Sequence, residues 1–116
     1  MVTEKIKELV VAALEDVKGV DIRVLDVRTL TNITDMMVFA SGTSDRHVKS
    51  LAGNVVQQAK LAGFRPISVE GEREGEWVLV DLGEVVVHVM LPRTREFYQI
   101  EKLWSGGEIR EGTLHL

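Results

Sequence analysis

From Thr3 to Lys18 the apolar residues are Ile6, Leu9, Val10, Ala13, Leu14 and Val17. They recur every three or four positions, the stripe of an amphipathic helix. Thr3 is the expected N-cap and Glu4 suits the first turn. Lys18 and Gly19 close the helix, with the glycine expected in the left-handed position. Ile22 to Val27 is short and rich in β-branched residues, and it predicts a strand. Thr29 to Thr34 is polar and turn-like. Met36 to Ala40 is an almost continuous apolar run, suited to a strand covered on both faces. Ser41-Gly42-Thr43-Ser44-Asp45 starts a helix, with Ser44 as its cap. Val48, Leu51, Ala52, Val55, Val56, Ala59 and Ala62 line one face of that helix, and Gly63 ends it.

After Pro66, Ile67 to Val69 predicts a short strand. Glu70 to Glu76 is rich in glycine and glutamate and reads as a loop. Glu76 to Leu91 predicts a hairpin about Leu82-Gly83. A last helix is expected from about Arg93 to Trp104, with Phe97, Ile100, Leu103 and Trp104 inward and Pro92 just before it. The order is helix, two strands, helix, three strands, helix. It predicts an α/β (α+β) fold, a mixed five-stranded sheet packed by helices. Residues 1–104 are expected to form a single domain, and 105–116 a flexible tail with little pattern.

The hairpin carries the most information. With Leu82-Gly83 as the turn, Asp81 pairs with Glu84, Leu79 with Val86, Trp77 with His88, and Gly75 with Met90. Side chains alternate between faces along each strand. One face holds Val78, Val80, Val85, Val87, Val89 and Leu91, and it must be core. The other holds Trp77, Leu79, Asp81, Glu84, Val86, His88 and Met90. A solvated face would be mostly polar, and a second core face would not gather Asp81, Glu84 and His88. An aromatic and aliphatic centre with charged ends is the anatomy of a protein–protein contact. Trp77 and Met90 are good anchor types. A second reading stays open: a helix covers this face and Trp77 is core. A one-residue error in the turn would change the strand partners but not the faces.

Composition narrows the partners. The net charge of the 116 residues is −4, whereas a domain gripping RNA through phosphates usually carries a basic excess. A partner surface made mainly of protein is expected, with little direct RNA contact. No apolar stretch approaches a membrane span, and the first residues lack a signal core, so a cytoplasmic protein is expected. There is no cysteine, which excludes disulfides, thiol catalysis and cysteine-ligated zinc.

Nucleotidyl transfer is the best enzymatic candidate. A Ser41-Gly42-Thr43-Ser44 turn opening a helix, with Arg46 nearby, has the form of a phosphate cradle. Such enzymes also need two carboxylates on one strand face to hold two metals. Asp26 and Asp81 each lack a carboxylate two residues on. Glu70, Glu72, Glu74 and Glu76 alternate, but among glycines in the expected loop. His47, His88 and His115 fall in separate segments without metal-ligand spacing. No catalytic residue, cofactor or metal is expected.

Three runs resemble the ribosomal silencing factor family (RsfS, Iojap-like). One is Ile33-Thr34-Asp35-Met36-Met37-Val38, continuing through Ser41-Gly42-Thr43-Ser44-Asp45-Arg46-His47-Val48. Another is Val69-Glu70-Gly71-Glu72 followed by Trp77 through Met90. The third is Arg95, Tyr98, Glu101, Lys102, Leu103 and Trp104. The resemblance implies a fold similar to nucleotidyltransferases without their catalytic acids. It implies docking on ribosomal protein L-fourteen of the large subunit, at the face where the small subunit would sit. Subunit joining is then blocked and translation falls under nutrient limitation or in stationary phase. It also suggests a homodimer in the free state. Carried over, the family's hairpin surface falls on Glu70, Trp77, Leu79, Asp81, His88 and Met90, joined by Tyr98 and Lys102. Glu84 departs from the family's frequent Asp but keeps the charge. The alternative remains a nucleotide- or metal-dependent nucleotidyltransferase-like enzyme.

Overall fold

The structure is a computed structural model and describes residues 2–105, without the side chain of Ser105. All but the first residue of the expected tail lies outside the described residues. Along the chain run α1 (Val2–Asp16), β1 (Val20–Asp26), β2 (Met36–Ser41), α2 (Asp45–Leu61), β3 (Ser68–Glu70), β4 (Trp77–Asp81), β5 (Val85–Met90), α3 (Pro92–Tyr98) and α4 (Ile100–Ser105). The strands form one sheet in the order β1-β2-β5-β4-β3. Only β2 and β5 run parallel; the other neighbours are antiparallel. The mixed five-stranded sheet expected from the sequence is therefore present.

Two helices cover one side of it. Ile6, Val10, Ala13 and Leu14 of α1 and Val48, Leu51, Ala52, Val55 and Ala59 of α2 are buried against Val38, Val78, Val80, Val85, Val87 and Val89. Each such Val, Leu or Ile side chain contributes about 1.5–3 kcal/mol by leaving water. Ser44 caps α2, its Oγ accepting the His47 backbone N–H at 3.1 Å. Gly63, at φ +90, closes the same helix, with the Phe64 N–H reaching back to the Ala59 carbonyl.

The start and end of α1 differ from expectation. Thr3 lies inside the helix rather than at its cap, and its hydroxyl donates to Asp35 at 2.9 Å. The left-handed residue after α1 is Lys18, at φ 64, not Gly19. The Gly19 N–H instead closes on the Leu14 carbonyl at 2.8 Å. A Cβ there would sit 3.1 Å from that oxygen and 3.3 Å from Leu51. The glycine serves close approach of the chain, and the lysine bears the strained angle.

The hairpin also shifts. Leu82 pairs with Val85 through its N–H, so Gly83-Glu84 is the turn and Gly83 takes φ +89. A two-residue hairpin turn with glycine first fits the twist of the strands. Trp77 therefore faces Met90, Leu79 faces His88 and Asp81 faces Val86; the expected pairings are each displaced by two residues. Because the shift is even, every side chain keeps its face.

The last helix is broken. Gln99 adopts a left-handed conformation, φ 49, between α3 and α4. The reversal brings Glu101 back onto Arg95. Arg95 is only 8% exposed. Its guanidinium pairs with Glu101 and donates to Ser41 Oγ at 2.9 Å. Glu101 also receives Arg23 of β1 at 2.9 Å. This network fastens α3 and α4 to the second side of the sheet. Only Ile100 and Trp104 point inward there; Phe97 and Leu103, expected inward, are 78% and 72% exposed.

Candidate functional site

Register dictates what shares the second side of the sheet. One row across it runs Glu70, Leu79, His88, Phe39 and Arg23, from β3 to β1. The row beside it holds Trp77, Met90 and Ser41, and the next holds Ser68, Asp81, Val86, Met37 and Leu25. The two ends of these rows differ. Toward β1 and β2, Leu25, Val27, Met37, Phe39, Val86 and Met90 form a second buried cluster, with Ile100 and Trp104 of α4 packed against it. Toward β4 and β3, Trp77 and Leu79 are half-buried and Glu70 is exposed. The chain covers half of this face and leaves half open.

The expected site residues divide along that line. Trp77, Leu79 and Glu70 lie on the open half. Tyr98 joins them from α3: it is 54% exposed and its ring centroid is 5.2 Å from that of Trp77. Lys102 is exposed on α4. Asp81 is half-buried, and its carboxylate accepts the Gly83 N–H at 2.9 Å, so it builds the turn. Met90 is fully buried and His88 is 6% exposed. These two lie beneath the surface that the sequence pattern assigned them to, because central strand β5 is flanked by β2 and β4 and packed on both sides.

His88 has a defined set of neighbours. Its ring stacks on Phe39, centroids 4.8 Å apart and planes 8° from parallel. Its Nδ1 accepts the indole N–H of Trp77 at 3.1 Å. The neutral ring then carries its proton on Nε2, which is buried and meets no partner among the described residues. Burial holds the His88 imidazole near a pKa of about 4, against an ordinary 6.5. The ring is neutral at physiological pH.

The sequence pattern missed Phe97. Its ring meets Tyr98 edge-on, centroids 4.9 Å apart, so Trp77, Tyr98 and Phe97 form one aromatic ridge from β4 onto α3. A helical stripe hid this, since Phe97 sits three residues before Ile100 and shares its face in an unbroken helix. The break at Gln99 separates them.

The second candidate, the turn before α2, is occupied by its own contacts. His47 Nδ1 accepts the Thr43 backbone N–H at 2.8 Å, and its Nε2 lies 2.7 Å from the Val17 carbonyl. A Cβ on Gly42 would lie 2.8 Å from the Val48 nitrogen. The Gly42 N–H goes to the Met90 carbonyl and the Thr43 N–H to His47, whose ring ties the start of α2 to the residue after α1. No helix of the described residues is long and apolar enough to cross a membrane.

Residues 2–114 match the family model described as ribosomal silencing factor during starvation. Over 106 residues the chain is 50% identical to the ribosomal silencing factor RsfS of Chromobacterium violaceum, covering 91% of this chain and 87% of that one. A crystal structure of a protein from the same organism is similar at a TM-score of 0.89 and 50% identity, covering 91% and 88% of the two chains. A mouse protein named for mitochondrial assembly of the ribosomal large subunit is 37% identical over 101 residues, covering 84% of this chain and 44% of its own length.

Proposed function

Because this chain belongs to the ribosomal silencing factor family, we propose that it is a non-enzymatic ribosome-binding protein of the cytoplasm. It docks on ribosomal protein L-fourteen of the large subunit through the open half of the sheet. Bound there, it occupies the place of the small subunit. Joining is blocked and translation falls when nutrients are scarce. The mouse relative's name, which refers to the large ribosomal subunit, supports a partner in that subunit.

The observation that carries this reading is the half-open Trp77. A tryptophan beside a leucine, backed by buried side chains and flanked by an exposed tyrosine, has the form of a hot-spot anchor. Glu70 at its margin supplies a polar rim. The net charge of −4 favours contact with a protein rather than with phosphates. The sequence also lacks the paired strand carboxylates that metal-dependent nucleotidyl transfer requires.

Cosedimentation with purified large subunits tests the proposal. Trp77→Ala is expected to stay folded and to weaken association by more than ~2 kcal/mol, a hot-spot loss. Association unchanged from the parent protein would remove Trp77 from the anchor role. A mass measurement on the same variant separates self-association from ribosome docking: a homodimer built on this ridge would dissociate with the substitution.

A further inference from the structure

The docking reading treats Trp77 as the anchor, and the residue that holds it is His88. We propose that His88 touches no partner and acts as the positioning residue for Trp77, fixing the indole plane through its Nδ1 acceptor so that the ring is set before the partner arrives. This inference rests on the docking reading above and assigns a role to a group beneath that surface.

Four observations carry it. His88 is 6% exposed, so a docking surface has little of it to meet. Its Nδ1 takes the Trp77 indole N–H at 3.1 Å, across diagonal positions of neighbouring strands. Its ring is stacked on Phe39, nearly parallel with centroids 4.8 Å apart, so the acceptor has a fixed direction. The hydrophobic cluster on this side of the sheet is Leu25, Val27, Met37, Phe39, Val86 and Met90, and the buried Arg95, Glu101 and Ser41 there are bonded to one another.

A buried nitrogen without a partner opposes folding, and His88 Nε2 meets none among the described residues. A phenyl ring, somewhat larger than imidazole, would keep the stack on Phe39 and remove that cost. That buried nitrogen alone thus favours phenylalanine at this position. What histidine adds is one acceptor aimed at Trp77. A half-exposed indole without that bond samples several rotamers and its N–H turns to water. Binding must then order the side chain, and affinity drops.

Two variants of the full chain separate the roles. His88→Phe removes the acceptor and keeps the ring. His88→Asn gives up the ring but restores an acceptor at the δ position. The readouts are solvent exchange of the Trp77 indole N–H by nitrogen-15 NMR and association with purified large subunits. His88→Phe is expected to melt no lower than the parent, to speed indole exchange roughly tenfold, and to weaken association roughly fivefold. His88→Asn is expected to recover slow exchange and part of the binding. Should His88→Phe bind as tightly as the parent while Trp77→Ala still loses binding, the positioning role is overturned and the docking reading stands. Should Trp77→Ala bind normally, both fall. If the phenylalanine variant does not fold, the parent decides: a protected Trp77 N–H supports the role, and exchange at the rate of a free indole overturns it.

Discussion

At residue scale, His88 couples folding to pH. Its pKa is 6.5 unfolded and about 4 folded, lowered by burial. Between those values the unfolded chain takes up a proton that the folded chain refuses. Titration of this residue costs the folded state nothing above pH 6.5, lowers its stability as pH falls toward 4, and adds no further loss below. The loss across that window is about 3 kcal/mol. Urea midpoints from pH 7 to pH 4 should fall less steeply in His88→Phe than in the parent; equal slopes would contradict the assignment. Gly71 makes a second residue-scale prediction. It holds φ +84, and a Cβ there would stand 2.0 Å from the Trp77 carbonyl oxygen. Gly71→Ala should cost about 2 kcal/mol or more, read by denaturant unfolding, and should displace the strand that carries the anchor. Neither effect was visible in the chain's pattern. Glycine in an acidic run marks a loop, but not which backbone passes above it.

The elements show why some features were legible and others were not. α1 and α2 follow from periodicity, because their apolar stripes meet the flat aliphatic side of the sheet and little else competes. The faces of β4 and β5 follow from alternation alone, which survived the shift of the turn from Leu82-Gly83 to Gly83-Glu84. The break after α3 had no local signal. Glutamine is not a usual left-handed residue, and the stripe through Phe97, Ile100 and Leu103 favours an unbroken helix. What wins is tertiary: the buried Arg95, already held by Ser41, gains Glu101 six residues on only if the chain reverses at Gln99. Arg95→Ala would strip the buried Glu101 of its guanidinium partner in α3 while its ion pair with Arg23 remains. It should cost about 3 kcal/mol and loosen α3 and α4 from the sheet, measured by chemical denaturation and by amide exchange across 92–105. A cost near zero would mean that Ile100 and Trp104 suffice to hold them.

At the scale of the whole molecule, one asymmetry organises the function. Five strands offer two faces, but two long helices fill only one. The remaining α3 and α4 are short and tethered through Arg23 and Ser41, so they roof the β1–β2 half and stop beside Trp77. Alternation in the sequence identified the face; it could not identify the half, because coverage depends on where a broken helix lands. That is why Met90 and His88, assigned to the surface by parity, lie under it. The ridge of Trp77, Tyr98 and Phe97, with Leu79 and Glu70, is what remains open on this face, and it is the surface the proposed docking uses. Amide hydrogen exchange of the chain, alone and bound to large ribosomal subunits, tests this most directly. The account predicts new protection over residues 68–81 and 95–98, with α1 and α2 unchanged. Protection confined to α1 and α2, with the ridge still exchanging freely, would contradict it.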